Sequence, residues 1–143
     1  VPLIAGFGKA AELAGELMAD ESERVGRLRD RLLEGLRTEI EGLQVNGSME
    51  SRLAGNLNVS IADVQGDALV TLVRDLAFST GSACSAASKK ASHVLAAIGD
   101  KERVRTSVRL GIGRFNTAEE IEIAIETIAA GVHKLRGATR STA

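Results

Sequence analysis

The sequence has 143 residues, enough for one domain with a modest core. Its 18 Lys and Arg nearly balance its 19 Asp and Glu, and the net charge of -1 argues against a general nucleic-acid or membrane-surface binder. The single cysteine, Cys84, excludes an internal disulfide and a multi-cysteine metal site, and it fits a reducing, cytoplasmic setting. No apolar run is long enough for a membrane span, and no signal peptide is recognisable.

The first 43 residues are predicted to form one long helix. Apolar residues such as Leu28, Leu32 and Leu36 fall near helical spacing, and charges of both signs occupy the other faces, as on a solvated helix. Coiled-coil pairing is the alternative interpretation, and helix-interior glycines such as Gly15 weaken both. A turn at the Asn-Gly pair and a polar loop are expected to follow.

The middle of the chain is predicted to alternate short strands and helices. Alternation of polar and apolar residues predicts a strand over 56–61, and a helix over 68–76 and a short strand over 77–79 are expected next. A loop of small residues over 80–92, a helix over 92–98 that Gly99 ends, and a strand over 105–112 complete this region.

The last helix has a clear start signal. Thr117 followed by Glu120 is a capping box, so a helix is predicted from there to about Arg136, with residues 137–143 as a polar tail. The element order predicts an α+β fold: one small layered domain, a short sheet covered by helices over residues 44–136, preceded by the long connecting helix over 1–43.

Cys84 lies in the most distinctive segment, a run of very small residues followed by two lysines. Small residues let a substrate approach a thiol, and nearby cations lower a thiol pKa and favour the nucleophilic thiolate. A buried structural cysteine is the alternative, since free cysteines are often buried. The stretch has few apolar residues, however, which favours an exposed nucleophile.

Arg109 is the second candidate functional residue. The strand pattern places it on the polar side between Val108 and Leu110, where a guanidinium could bind a carboxylate through two parallel hydrogen bonds. A surface arginine that covers apolar area is the alternative. His93 could approach Cys84 as a Cys–His pair, although a helical histidine is usually structural, and His133 suits a helix C-terminus.

Several separated blocks resemble the C-terminal part of NifS-like cysteine desulfurases, which are class-V aminotransferase enzymes dependent on pyridoxal phosphate. The resemblance extends over nearly the whole chain in the family's order. Its blocks are Val1-Pro2, Gly6 to Leu13, Asn56 to Ser60, Thr80 to Cys84, Ser92 to Gly99 and Ser107 to Ile121.

The resemblance implies roles for these residues. Cys84 matches the catalytic cysteine, which takes sulfur from L-cysteine as a persulfide, leaves L-alanine, and passes the sulfur to an acceptor or iron–sulfur scaffold protein. Arg109 matches the arginine that holds the substrate carboxylate. The loop-supporting residues are Gly81, Ser82, Ala83 and Ser85, and a homodimer is implied for the full enzyme. Ala91 departs from the proline often found before the Ser-His helix.

The resemblance also implies a missing part. The cofactor domain, with its Schiff-base lysine, would lie before Val1, and no lysine of this chain matches it: Lys9, Lys89, Lys90, Lys101 and Lys134 are predicted in helices or the loop. We therefore expect the isolated chain to bind no pyridoxal phosphate covalently and to release no sulfide. No metal site is expected.

Three alternatives remain at this point. A relative acting on selenocysteine would use the same fold. A non-catalytic persulfide carrier or protein-binding module would need only the thiol. A helical dimerisation domain would use the long first helix, and replacement of Cys84 by serine would then leave its function intact.

Overall fold

The computed structural model describes residues 1–81, 93–98 and 103–140. Within these ranges the chain forms α1 (Pro2–Glu39), β1 (Leu43–Val45), β2 (Asn56–Ile61), α2 (Gly66–Leu72), α3 (His93–Ile98), α4 (Arg103–Thr106), β3 (Ser107–Gly111) and α5 (Ala118–Arg140). The three strands form one antiparallel sheet in the order β1-β2-β3. The predicted α+β architecture, with a short sheet and a long first helix, is confirmed.

One face of the sheet is apolar and carries the core. Leu57 and Val59 of β2 lie opposite Leu110 and Val108 of β3, and all four are buried. Helices α1 and α5 pack together over this face, through Leu32 and Leu36 from α1 and Ile125, Ile128 and Val132 from α5. Alternate residues of the strands point to the opposite face, which is therefore polar.

The predicted end of the first helix is wrong. Helix α1 ends at Glu39 rather than residue 43, because Ile40 is extended and Gly42 has a φ of 75°, which turns the chain into β1. Leu43 and Val45 then pair with Ile61 and Val59, a contact that local periodicity does not reveal.

Further boundaries differ near α2. This helix ends at Leu72 rather than Leu76, since Val73 leaves the helical region and Arg74 Nε donates to the Thr71 carbonyl. The predicted strand over 77–79 reduces to one bridge at Ser79.

The predicted strand over 105–112 begins two residues late. Arg103–Thr106 forms one helical turn, because the Thr106 and Ser107 hydroxyls both donate to the Arg103 carbonyl, at 3.1 and 2.5 Å. Arg105 therefore lies in α4 and not in the sheet.

The expected polar tail from Gly137 is partly helical, since α5 continues to Arg140. Contacts with residues distant in sequence hold this end of the helix. The Arg136 guanidinium donates to the carbonyls of Glu41 and Ala62, both at 2.8 Å, and this docks the end of α5 against the turns after α1 and β2. Residues 141–143 lie outside the described part of the chain.

The capping box is confirmed. The Glu120 N–H donates to Thr117 Oγ1 at 3.3 Å, and Glu120 Oε2 accepts from the Asn116 side-chain amide at 2.9 Å and from the Thr117 N–H at 3.2 Å. The Asn116 bond first, and then the Thr117 bond, hold the pKa of Glu120 below its ordinary value of 4.5.

We expect this box to make folding pH-dependent. A carboxyl whose folded-state pKa lies below its unfolded value stabilises the fold above about pH 4.5, and this stabilisation disappears as pH falls through the folded-state pKa. Glu120→Gln should flatten the acid limb of stability against pH, measured by urea unfolding between pH 3 and pH 7 (roughly the window in which carboxyls titrate). Glu126→Gln, exposed on the same helix, is the control and should leave that limb unchanged.

Candidate functional site at the polar face of the sheet

Arg109 lies where the sequence analysis placed it, on the polar face of β3. It is directly opposite Asn58 of β2, and its side chain is exposed while Val108 and Leu110 on either side are buried. Among the described residues, its guanidinium has no hydrogen-bond or ion-pair partner. No described residue occupies the five N–H donors of this group, which have the geometry to bind a carboxylate.

A segment outside the sheet lies beside Arg109. The Ser79 N–H donates to the Arg109 carbonyl at 3.1 Å, and the Arg109 N–H donates to the Ser79 carbonyl at 2.6 Å. This reciprocal pair fixes the start of the small-residue segment against the free edge of β3. The residue that begins this segment, Ser79, is therefore held directly beside Arg109, the residue predicted to bind a carboxylate.

Of the four loop-supporting residues, Gly81 is described and lies half-buried just past this contact; Ser82, Ala83 and Ser85 lie outside the described residues, as does Cys84. Covalent geometry still limits how far Cys84 can lie from Ser79. A chain spans at most about 3.6 Å per residue, so five residues keep the Cα of Cys84 within about 18 Å of that of Ser79. The distance between the thiol and Arg109 stays a prediction.

A side-chain hydrogen bond also anchors the entry of the segment. Thr80 Oγ1 donates to Asp67 Oδ1 at 2.9 Å, which ties the residue after Ser79 to the first turn of α2. Gly66 makes the close approach possible, because a Cβ there would lie 2.5 Å from the Ser107 carbonyl oxygen and 3.0 Å from Thr80 Cγ2.

Gly66→Ala is therefore expected to destabilise the fold by about 1–3 kcal/mol, the range for overpacking against atoms that cannot move aside. The obstructing atom is a backbone oxygen of β3, so relief must shift the strand that carries Arg109. Urea unfolding measures the change. Gly137→Ala, in a helix with nothing within 4 Å of the added methyl, is the control and should be neutral or mildly stabilising. Equal stability of the two variants would contradict this packing.

A buried polar cluster lies on the same face. Asn46 Nδ2 donates to Asn58 Oδ1 at 2.8 Å and to Ser107 Oγ at 2.9 Å, and both Asn46 and Ser107 are buried. Arg52 Nη2 donates to the Asn46 carbonyl at 2.7 Å, and burial, followed by the charge of Arg29, lowers the pKa of Arg52. The cluster joins the residue after β1 to β2 and β3 next to Arg109, since Asn58 lies directly opposite Arg109 and Ser107 precedes it by two residues in β3.

Sequence reasoning missed this cluster. Asn46 belongs to a predicted turn and Arg52 to a predicted polar loop, and neither position shows periodicity. The available signal was Asn58, a polar residue in the middle of a strand, since such residues need hydrogen-bond partners when they are half-buried.

His93 is the first residue of α3, and its side chain lies outside the described part of the chain, so its pairing with Cys84 stays a prediction. His133 lies exposed on α5, seven residues before the end of that helix. Within residues 1–81, 93–98 and 103–140, no three His, Cys, Asp or Glu side chains cluster as metal ligands would.

The described residues do not form a pyridoxal-phosphate site. A Schiff-base lysine needs an enclosed position, and the two described lysines, Lys9 and Lys134, are exposed on helices α1 and α5. Lys9 instead pairs with Glu12 at 2.9 Å. Lys89, Lys90 and Lys101 lie outside the described ranges. None of the helices in the described ranges combines the length and apolarity that crossing a bilayer requires.

Comparison with known proteins decides the family. The sequence model of the family described as aminotransferase class-V matches residues 1–123. The chain belongs to the class-V aminotransferase family. The match includes all of α1, the sheet and the first turns of α5, so it covers both the Arg109 strand and the Cys84 segment.

Relatives within this class-V family are named cysteine desulfurases. The chain is 51% identical over 137 residues to cysteine desulfurase IscS of Anaeromyxobacter sp. strain K, covering 95% of the chain and 34% of that relative. It is 48% identical over 134 residues to a mitochondrial cysteine desulfurase of Arabidopsis thaliana, covering 93% of the chain and 30% of that relative. The resemblance inferred from the sequence is confirmed, and the chain spans about a third of the length of these relatives.

Solved structures of two NifS-like proteins share the fold. A NifS-like protein from Rickettsia africae ESF-5 superposes with a TM-score of 0.77 at 22% identity, covering 91% of this chain and 34% of that one. Another NifS-like protein gives a TM-score of 0.73 at 24% identity, covering 87% of this chain and 32% of that one. At these identities the likeness speaks for the fold alone.

Proposed function

We propose that this chain is the sulfur-accepting, C-terminal part of a cysteine desulfurase, with Cys84 as the sulfur acceptor and Arg109 as the clamp for the substrate carboxylate. The observation that carries the proposal is the backbone pairing between Ser79 and Arg109. It starts the cysteine-bearing segment beside an exposed guanidinium without a described partner, in a chain about half identical to cysteine desulfurases.

The chemistry follows from these two groups. Arg109 fixes the carboxylate of L-cysteine through charge-assisted hydrogen bonds and so orients the substrate. The Cys84 thiolate attacks the substrate sulfur, an S–S bond forms, and the Cβ–S bond breaks with its electron pair left on the substrate. That carbon takes a proton, so the products are L-alanine and an enzyme persulfide, and no external oxidant is needed. Pyridoxal phosphate supplies the electron sink for such reactions.

We extend the proposal to the cofactor and place its lysine in a part of the enzyme outside this chain, as the resemblance to cysteine desulfurases implies. We extend the proposal to an L-cysteine substrate, a protein that accepts the sulfur for iron–sulfur cluster assembly, and a homodimeric full enzyme. A reducing compartment such as the cytoplasm fits a thiol that must stay free.

Product analysis tests the proposal. The protein made from the complete gene, supplied with pyridoxal phosphate, L-cysteine and a reductant, should release alanine and sulfide in equal amounts. Without reductant, mass spectrometry should find one additional sulfur atom on Cys84. The isolated 143-residue chain should produce neither alanine nor sulfide.

The same experiment separates the alternatives. A persulfide carrier would gain sulfur on Cys84 only when a separate desulfurase is added. A selenocysteine-specific enzyme would release alanine from selenocysteine and not from cysteine. Either result would overturn the proposed reaction.

A further inference from the structure

Three polar side chains form one row across the polar face of the sheet. Asn46 follows β1 and its N–H donates to the Asn58 carbonyl at 2.9 Å, and Asn58 of β2 lies directly opposite Arg109 of β3. Because residues that lie opposite each other in a sheet point to the same face, the three side chains project next to one another. The row therefore connects the buried Asn46 amide to the exposed Arg109 guanidinium through Asn58.

Asn58 and Arg109 form the closer of the two kinds of antiparallel pair. The Arg109 N–H and carbonyl both bond to Ser79 on the outer side of β3, so neither is directed toward Asn58. Opposite residues whose backbone groups point away from each other have Cβ atoms about 4.5–5.5 Å apart. The Asn58 carboxamide therefore lies beside the Arg109 side chain, where one ligand can contact both groups.

A chain of hydrogen bonds fixes which end of the Asn58 carboxamide is occupied. The Arg103 carbonyl can only accept, so the Ser107 hydroxyl donates its single proton to it, at 2.5 Å. The Ser107 oxygen then accepts from Asn46 Nδ2, at 2.9 Å. The second proton of Asn46 Nδ2 goes to Asn58 Oδ1, at 2.8 Å. Asn46 thus occupies the acceptor end of Asn58, and the donor end, Nδ2, has no partner among the residues that the structure describes.

This direction places two hydrogen-bond donors next to each other at Asn58 and Arg109. An amide NH2 and a guanidinium cannot bond to each other, whereas a reversed carboxamide would offer its oxygen to the guanidinium and occupy it. Arg52 adds a second cation, since it donates to the Asn46 carbonyl at the other end of the row. Neither arginine pairs with a carboxylate within the described ranges. Donors and positive charge without an acidic partner favour an anionic ligand.

We propose that Asn58 is a second binding residue for the substrate carboxylate, to which it donates from Nδ2 while Arg109 binds the same group. This inference rests on the proposed function. A carboxylate has about four acceptor positions, and a bidentate guanidinium fills two of them, so a position is left for the amide N–H. Asn58 is itself held by Asn46, and it therefore orients the carboxylate more firmly than one long, flexible arginine does alone.

Steady-state kinetics of alanine release by the complete protein test this role. Asn58→Thr keeps a side-chain oxygen that can accept from Asn46 but removes the amide donor. It should raise KM for L-cysteine at least about tenfold, the scale of one hydrogen bond to a charged group, and keep kcat within about threefold. Asn58→Asp replaces the donor by a carboxylate oxygen. It should raise KM further, because the new charge repels the substrate carboxylate and pairs with Arg109.

Asn56 supplies the matched controls. It lies on the same face of β2, opposite Gly111 instead of Arg109, and within the described ranges only its backbone groups take part in hydrogen bonds. Asn56→Thr and Asn56→Asp make the same chemical changes two residues away. Both should keep KM within about threefold of the unmodified value, because an exposed charge is screened and neither change removes a ligand.

Each outcome decides the assignment. Equal KM values for the residue-58 and residue-56 variants, or a fall in kcat with KM unchanged, overturn the role of Asn58 in carboxylate binding. A large fall in melting temperature in both Asn58 variants and in neither control also overturns it, since Asn58 would then be a structural residue. The unmodified complete protein tests the proposed function separately. If it releases alanine and Asn58→Thr leaves KM unchanged, only the carboxylate role is rejected, whereas absence of alanine release rejects the desulfurase.

Discussion

Cys84→Ser is expected to reduce alanine release from L-cysteine by at least about 1000-fold, the scale seen when a nucleophile is removed from an enzyme. A hydroxyl is a far weaker nucleophile than a thiolate at neutral pH and cannot form a persulfide. The measurement is the initial rate of alanine formation by the complete protein, together with the mass of the peptide that carries residue 84.

Ser88→Ala is the matched control for this experiment. It removes a hydroxyl from the same small-residue segment and leaves the thiol in place, so it should keep alanine release within a few-fold of the unmodified enzyme. A Cys84→Ser variant that releases alanine within tenfold of the unmodified rate would show that sulfur leaves by another route, and the assignment of Cys84 would be wrong.

Arg109→Gln is expected to lower kcat/KM for L-cysteine about 10- to 100-fold, chiefly through KM. Hydrogen bonds to a charged group contribute about 1.5–3 kcal/mol, and one factor of ten corresponds to about 1.4 kcal/mol. Arg109→Lys should recover part of the loss, because it restores the charge without the two parallel donors. Steady-state kinetics of alanine release at varied L-cysteine measures both constants.

The fold should survive this change. Arg109 is exposed, and its side chain has no partner among the described residues, so the melting temperature of Arg109→Gln should match that of the unmodified protein. Arg105→Gln, which removes an exposed cation from α4, is the control and should leave KM unchanged. Equal increases in KM for the two variants would indicate a general charge effect and not a carboxylate clamp.

Local sequence patterns predicted the parts of the fold whose causes are local. The strand at Asn56–Ile61 has the predicted bounds, because alternation of polar and apolar residues reports directly which side chains face the core. The Thr117–Glu120 capping box depends on atoms three residues apart and was equally readable. Arg109 was placed correctly on the polar side of its strand for the same reason.

Boundaries set by distant partners were predicted poorly. β1 exists because Leu43 and Val45 pair with β2 some 15 residues later. The end of α5 is held by carbonyls of Glu41 and Ala62, far away in sequence. Neither contact leaves a periodic signal, so the first helix was extended too far and the last one ended too early.

The amino-acid sequence alone determined the family, the single thiol and the guanidinium proposed to serve it, because these depend on residue identity and spacing. Only the tertiary structure decided that Ser79 pairs with Arg109 and that Asn46 joins Asn58 and Ser107. The physical reason is that hydrogen bonds between strands depend on register and sheet order, which long-range packing sets and local periodicity does not encode.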